Sequence, residues 1–108
     1  MLADEVRIAR SWGAQLRGWI GGREEARRRG FVLGLPGCPV VHTWFVAFPL
    51  DVVFCAADGR VLRGIAALPP LRFSPWVSGA ALTWEAPAGR LAPLVSVGDV
   101  IVLVEEPF

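Results

Sequence analysis

The side chains that could do chemistry in this chain lie between Cys38 and Glu85. His42, the single histidine, stands beside Thr43 in the run Cys38-Pro39-Val40-Val41-His42-Thr43, and Asp51 follows inside the apolar stretch Phe48-Pro49-Leu50-Asp51-Val52-Val53-Phe54. An imidazole oriented by a carboxylate is a common general base. His42 and Asp51 are therefore a candidate acid–base or ligand-orienting pair, given a strand and a tight return that bring them together. Each also has a structural reading, and it is the favoured one. An Asp in an apolar run needs hydrogen bonds, and its carboxylate is expected to tie down the Phe48-Pro49-Leu50 turn. A partly buried imidazole is expected to bond to main chain. Glu85 sits after Trp84 and before Pro87-Ala88-Gly89. It either accepts from the free amides of a following helix or joins His42, Thr43 and Asp51 in a polar cluster walled by Trp44, Trp76 and Trp84.

Cys38 and His42 could also act together, as nucleophile and base or as two metal ligands. Pro39 removes the backbone amide after Cys38 that an oxyanion hole could have used. Two ligands are too few for zinc, and only Asp51 and Glu85 remain to complete a set, so no metal site is expected. The spacing Gly18-Trp19-Ile20-Gly21 is that of a KH loop but lacks the surrounding pattern. Phosphate-binding glycine loops are missing, so no nucleotide and no other cofactor is expected.

The elements that must position these residues are bounded by composition. The chain has 108 residues, 54% of them apolar and 19% charged, with a formal net charge of +1 and a mean hydropathy of +0.48. That describes one compact domain over residues 1–108 rather than a disordered or multidomain chain. Its bases are all Arg, and near-neutrality gives little long-range attraction to phosphate, which disfavours nucleic acid. The start Met1-Leu2-Ala3-Asp4-Glu5 carries acids where a secretory signal needs bases, so a cytoplasmic location with reduced Cys38 and Cys55 is expected. Residues 39–57 have the length of a membrane span but contain His42, Pro49 and Asp51. Two adjacent core strands explain them without burying a charge in lipid.

Alternation over 6–10 predicts a strand, and Ser11 offers an N-cap for a helix whose apolar stripe is Trp12, Leu16, Trp19 and Ile20. Gly13 and Gly18 weaken that helix, so the two tryptophans must hold it by packing. After Gly21-Gly22, the run Arg23-Glu24-Glu25-Ala26-Arg27-Arg28-Arg29 reads as a second short helix with favourable Glu24–Arg28 and Glu25–Arg29 pairs, ended by Gly30. Its basic end is read as a solvated face rather than a docking patch. Strands are predicted over 31–33, 40–48, 51–55, 60–65, 80–84 and 100–104. Asp58-Gly59 makes a hairpin of the third and fourth. Pro69-Pro70 and Ser74-Pro75 mark a connecting loop, and a short helix is predicted over 90–95, with Pro93 in its first turn. Gly98-Asp99 turns into a last strand without polar alternation, expected to be buried on both faces. The predicted class is α+β and mostly β: a compact antiparallel sheet or half-closed small barrel with an N-terminal helical segment packed against it.

In order along the chain come Arg17-Gly18, Cys38 ahead of Val41-His42-Thr43, the Phe48–Phe54 segment, Asp58-Gly59-Arg60-Val61, Pro69-Pro70, Glu85 before Pro87-Ala88-Gly89, and Gly98-Asp99. This ordered set resembles the family known as DUF192, or UPF0127. The resemblance implies a compact, largely β architecture and no assigned reaction. Relatives commonly place a Met and a basic residue before the Phe-Pro-x-Asp segment, where this chain has Val46 and Ala47, so no role for a thioether or cation is expected there.

The function expected from these readings is a small non-catalytic accessory or binding module, taking a small molecule or a protein partner through the region of His42, Asp51 and Glu85. Two alternatives stand beside it. One is a small hydrolase or isomerase with His42 as general base, Asp51 orienting it and Cys38 or Thr43 assisting. The other is a structural interaction protein or homodimer using exposed tryptophans or a strand edge.

Overall fold

A computed structural model of the chain describes residues 6–8, 32–37, 39–43 and 48–102. Its strands are β1 (Val6–Ile8), β2 (Val32–Pro36), β3 (Leu50–Cys55), β4 (Val61–Leu68) and β5 (Leu82–Pro87), followed by a 3-10 helix over Ala92–Leu94. They form an open sheet in the order β1-β2-β5-β3-β4. Within it β2, β5, β3 and β4 are antiparallel neighbours, while β1 runs parallel to β2. Among the described residues the protein is thus mostly β with an open sheet rather than a half-closed barrel, with β1 and β4 as its two edges. The predicted N-terminal helices fall on residues outside those described.

β3 and β5 are central because their residues tolerate burial on both sides. Leu50, Val52 and Phe54 join Leu33 and Leu35 in one core, while Val53 and Cys55 join Val32, Val61, Trp84, Ala86 and Leu91 in another. Side chains alternate across a strand, so these are the two faces of one sheet. The register fixes which residue points where: Val52 opposes Glu85, Asp51 opposes Ala86 and Val53 opposes Trp84.

The Asp58-Gly59 hairpin between β3 and β4 forms as the sequence predicts. Gly59 has φ +89°, Ala56 N–H donates to Arg60 O at 2.9 Å, and the Asp58 carboxylate accepts from Arg60 N–H at 3.0 Å. A Cβ on Gly59 would collide with the Ile101 carbonyl oxygen. Glycine is required there twice over, by conformation and by space.

Three elements differ from expectation. The predicted strand over 40–48 is not a sheet strand across its described residues. Instead 39–43 and 71–77 form an irregular two-stranded ribbon, with a single bridge between His42 and Phe73. Val77 N–H donates to Pro39 O, Ser74 N–H to Val41 O, Thr43 N–H to Arg72 O and Leu71 N–H to Thr43 O, at 2.8–3.1 Å. Val41 and Val77 turn inward and cover the face built by Leu33, Leu35, Leu50, Val52 and Phe54. Prolines at 39, 69, 70 and 75 deny the ribbon the amides a regular ladder needs.

The last strand, expected to be buried, is likewise absent over 100–102. Val100 and Val102 are exposed, and one bridge links Val100 to Arg60. Of this run Ile101 packs against the second core. An apolar run without alternation carries no information about which residues face in. Finally, the predicted helix over 90–95 tightens to a 3-10 turn, with Pro93 in its first positions.

Candidate functional site

Asp51 is fully buried, and its carboxylate is filled by main chain. Oδ1 accepts from Ala67 N–H at 2.9 Å. Oδ2 accepts from Gly89, Leu91 and Ala92 N–H at 3.0, 3.0 and 2.9 Å. The first bond shapes β4. Leu50 opposes Leu68 and Val52 opposes Ile65, so Ala66 and Ala67 together face Asp51 in a bulge, with Ala67 at φ +52°. The other three gather the turn ahead of the 3-10 helix into an anion-binding nest occupied by the chain's own carboxylate. Asp51 thus fixes backbone, as its structural reading expects. What it holds is the 66–67 bulge and the 89–92 turn, not the Phe48-Pro49-Leu50 turn.

The free amides of that turn are therefore taken by Asp51, the role the sequence offered to Glu85. Glu85 is buried on the opposite face of the sheet, where its register partners are Leu33 and Val52. His42 is exposed. Its ring lies 6.0 Å from that of Phe73, tilted by 57°, on the outer side of the ribbon. Thr43, next to it, is buried; its hydroxyl donates to Pro69 O at 2.6 Å and accepts from Arg72 N–H at 3.0 Å. The structure accordingly does not gather the polar residues on one side of the sheet. Asp51 and Glu85 occupy opposite faces of the sheet, and His42 looks outward from the ribbon.

The three tryptophans separate likewise. Trp84 is buried in the core on the Asp51 side, and Trp76 is 69% exposed on the ribbon. Trp44 and Cys38 lie outside the described residues. Cys55 is a free, buried thiol, and burial, with the Asp58 carboxylate adding to it, pushes its pKa up to about 11. A buried neutral thiol is an inert packing group rather than a nucleophile. Among the described residues no group of three or more His, Cys, Asp or Glu side chains could hold a metal. None of their helices is long and apolar enough to cross a membrane.

On the ribbon's outer surface the sequence singles out His42 and Trp76 but not Leu71 and Phe73. Leu71 is 55% exposed and Phe73 64%, on the same short stretch as Trp76. Their backbone is clamped by the Thr43 hydroxyl and by Ser74, whose Oγ accepts from Val41 N–H at 2.9 Å. The available signal was large apolar residues placed in a proline-rich loop, where no core position asks for them.

Comparison with known proteins gives a fold and a family. The model of the family DUF192, described as an uncharacterized ACR, matches residues 2–103. No curated protein matches the chain. A crystal structure of a protein of unknown function from Novosphingobium aromaticivorans DSM 12444 superposes with a TM-score of 0.70 at 23% identity, covering 88% of this chain and 71% of that one. A "putative transcription regulator" from Sinorhizobium meliloti 1021 gives 0.65 at 24% identity, covering 88% and 78%. At these identities the likeness is one of fold.

Proposed function

The chain belongs to the DUF192 family, and from that footing we propose that it is a small non-catalytic binding module whose contact surface is the outer face of the ribbon formed by 39–43 and 71–77. One observation carries this reading: Phe73, beside His42, and Trp76, three residues on, both stand about two-thirds exposed, on backbone held in place by buried hydroxyls. Exposed aromatic side chains on a preorganised support lose little freedom when a partner covers them. In this reading Asp51 is the frame of the module and His42 part of its contact surface. A cytoplasmic location belongs to the same proposal.

A photo-crosslinking amino acid placed at position 73, in cells of the native host, tests it. Discrete adducts are expected from position 73 and not from Val97, which is 71% exposed but lies on the turn at 96–99. Equal adducts from both positions, or none from 73, count against the reading.

A further inference from the structure

We infer that the ribbon takes an acidic segment of another protein, one that carries glutamate or aspartate next to large apolar side chains; this rests on the binding-module reading above. Charge is the first ground. From Gly59 to Trp84 the chain carries Arg60, Arg63 and Arg72 and no acid, and residues 32–50 carry no acid either. Of the acids among the described residues, Asp51 and Glu85 are buried. The exposed pair, Asp58 and Asp99, sit on turns at the start of β4, each accepting an N–H of its own turn. The ribbon therefore presents the Arg72 guanidinium and His42 with no negative charge of its own. Arg72 spends one contact on Leu71 O at 3.3 Å, leaving donors for a carboxylate.

Composition and support are the second ground. Arg72, Phe73 and Trp76 share one exposed stretch, and tryptophan and arginine are enriched at interface hot spots, as phenylalanine is in interface cores. Leu71 is held at φ +62°, a strained conformation for a bulky side chain, and it is left half exposed. Its N–H on Thr43 O and the neighbouring Arg72 N–H on Thr43 Oγ1 fix that conformation. Those bonds offset the strain and leave the apolar Leu71 side chain facing outward, where a partner would cover it.

Other occupants fit less well. A single guanidinium is too little charge for a nucleic-acid strand, whose affinity rests on many phosphate contacts. A second copy docking the same face about a two-fold axis would bring Arg72 no carboxylate, since residues 39–43 and 71–77 carry no acid.

The test is fluorescence anisotropy with three labelled peptides of about ten residues: Glu alternating with Leu and Phe, the same peptide with Gln for Glu, and the same with Lys. Saturable binding is expected for the acidic peptide, at least about tenfold weaker for the Gln peptide, and none for the Lys peptide. Arg72→Gln should weaken the acidic peptide by about tenfold, and the double variant Phe73→Ser/Trp76→Ser should abolish it. Val97→Ser should leave it unchanged. Circular dichroism confirms that each variant folds. Equal binding of all three peptides at the ribbon would overturn the charge inference and leave the binding surface standing. Acidic-peptide binding that survives the double variant would overturn both. Failure of the acidic peptide at about 1 mM, or a dimer that the double variant dissolves, overturns the inference and leaves the surface to the crosslinking result.

Discussion

Replacing Asp51 by Ala removes the one acceptor shared by four backbone N–H groups. The Leu91 amide is buried and loses its partner outright, at about 1–3 kcal/mol. The amides of Ala67, Gly89 and Ala92 are part-buried, so water meets some of their need and each loses about 0.5–1 kcal/mol. Removing a buried charge offsets part of the sum. A loss of about 3–4 kcal/mol remains, a large share of the roughly 5–15 kcal/mol that holds a domain of this size. With a urea m-value of about 1–2 kcal/mol/M, the unfolding midpoint should fall by about 1.5–4 M. Asp51→Asn keeps one acceptor oxygen but turns amide donors toward amide donors, so its midpoint should lie between wild type and Ala. Formate, small enough for the vacated nest, should recover part of the Ala variant's loss. Hydrogen exchange at Leu91 should lose its protection in step. A midpoint shift under about 0.5 M for Asp51→Ala would refute the view that this carboxylate frames the fold.

Gly59→Ala and Gly89→Ala both place a side chain at positive φ, but only the first also meets the Ile101 carbonyl. Urea unfolding should show a loss of about 1–2 kcal/mol for Gly89→Ala and clearly more for Gly59→Ala. Because burial raises the Cys55 pKa from an ordinary 9.0 to about 11, the folded chain keeps a proton that the unfolded chain releases. Stability from this group is whole below about pH 9 and falls by about 2–3 kcal/mol as pH climbs to about 11. Comparing wild type with Cys55→Ala across that range isolates it, and the native thiol should react with a disulfide reagent at neutral pH far more slowly than the urea-unfolded one. Thr43→Val keeps the shape but removes the hydroxyl between Pro69 and Arg72. It should lower stability by about 1–3 kcal/mol and raise proteolytic nicking within 69–76.

The parts of the fold legible in the sequence are those where local chemistry and tertiary packing agree. Asp58-Gly59 names a hairpin turn, and the flanking apolar runs can only be its strands. β5 was displaced toward its C-terminal end, because Ala80 and Ala81 look like strand residues while Glu85 and Pro87 do not; register against β3 overrides both. Asp51 advertised a need for hydrogen bonds, but its partners lie at 67 and at 89–92, and no local pattern links such distant amides. The ribbon was least legible. Its inward residues, Val41, Thr43, Ser74 and Val77, alternate in a strand-like way on one side, yet prolines on both sides break the ladder. Exposure of Phe73 and Trp76 depends on which side of that broken ladder faces the sheet, and periodicity cannot supply it.

The central claim is that partners meet the ribbon while the Asp51 nest serves only as frame. Amide chemical-shift mapping with the partner recovered from the position-73 crosslink tests this most directly. Shifts concentrated in 39–43 and 71–77, with the amides of 89–92 unmoved, are the expected result. Shifts centred on 89–101 with the ribbon unmoved would contradict it.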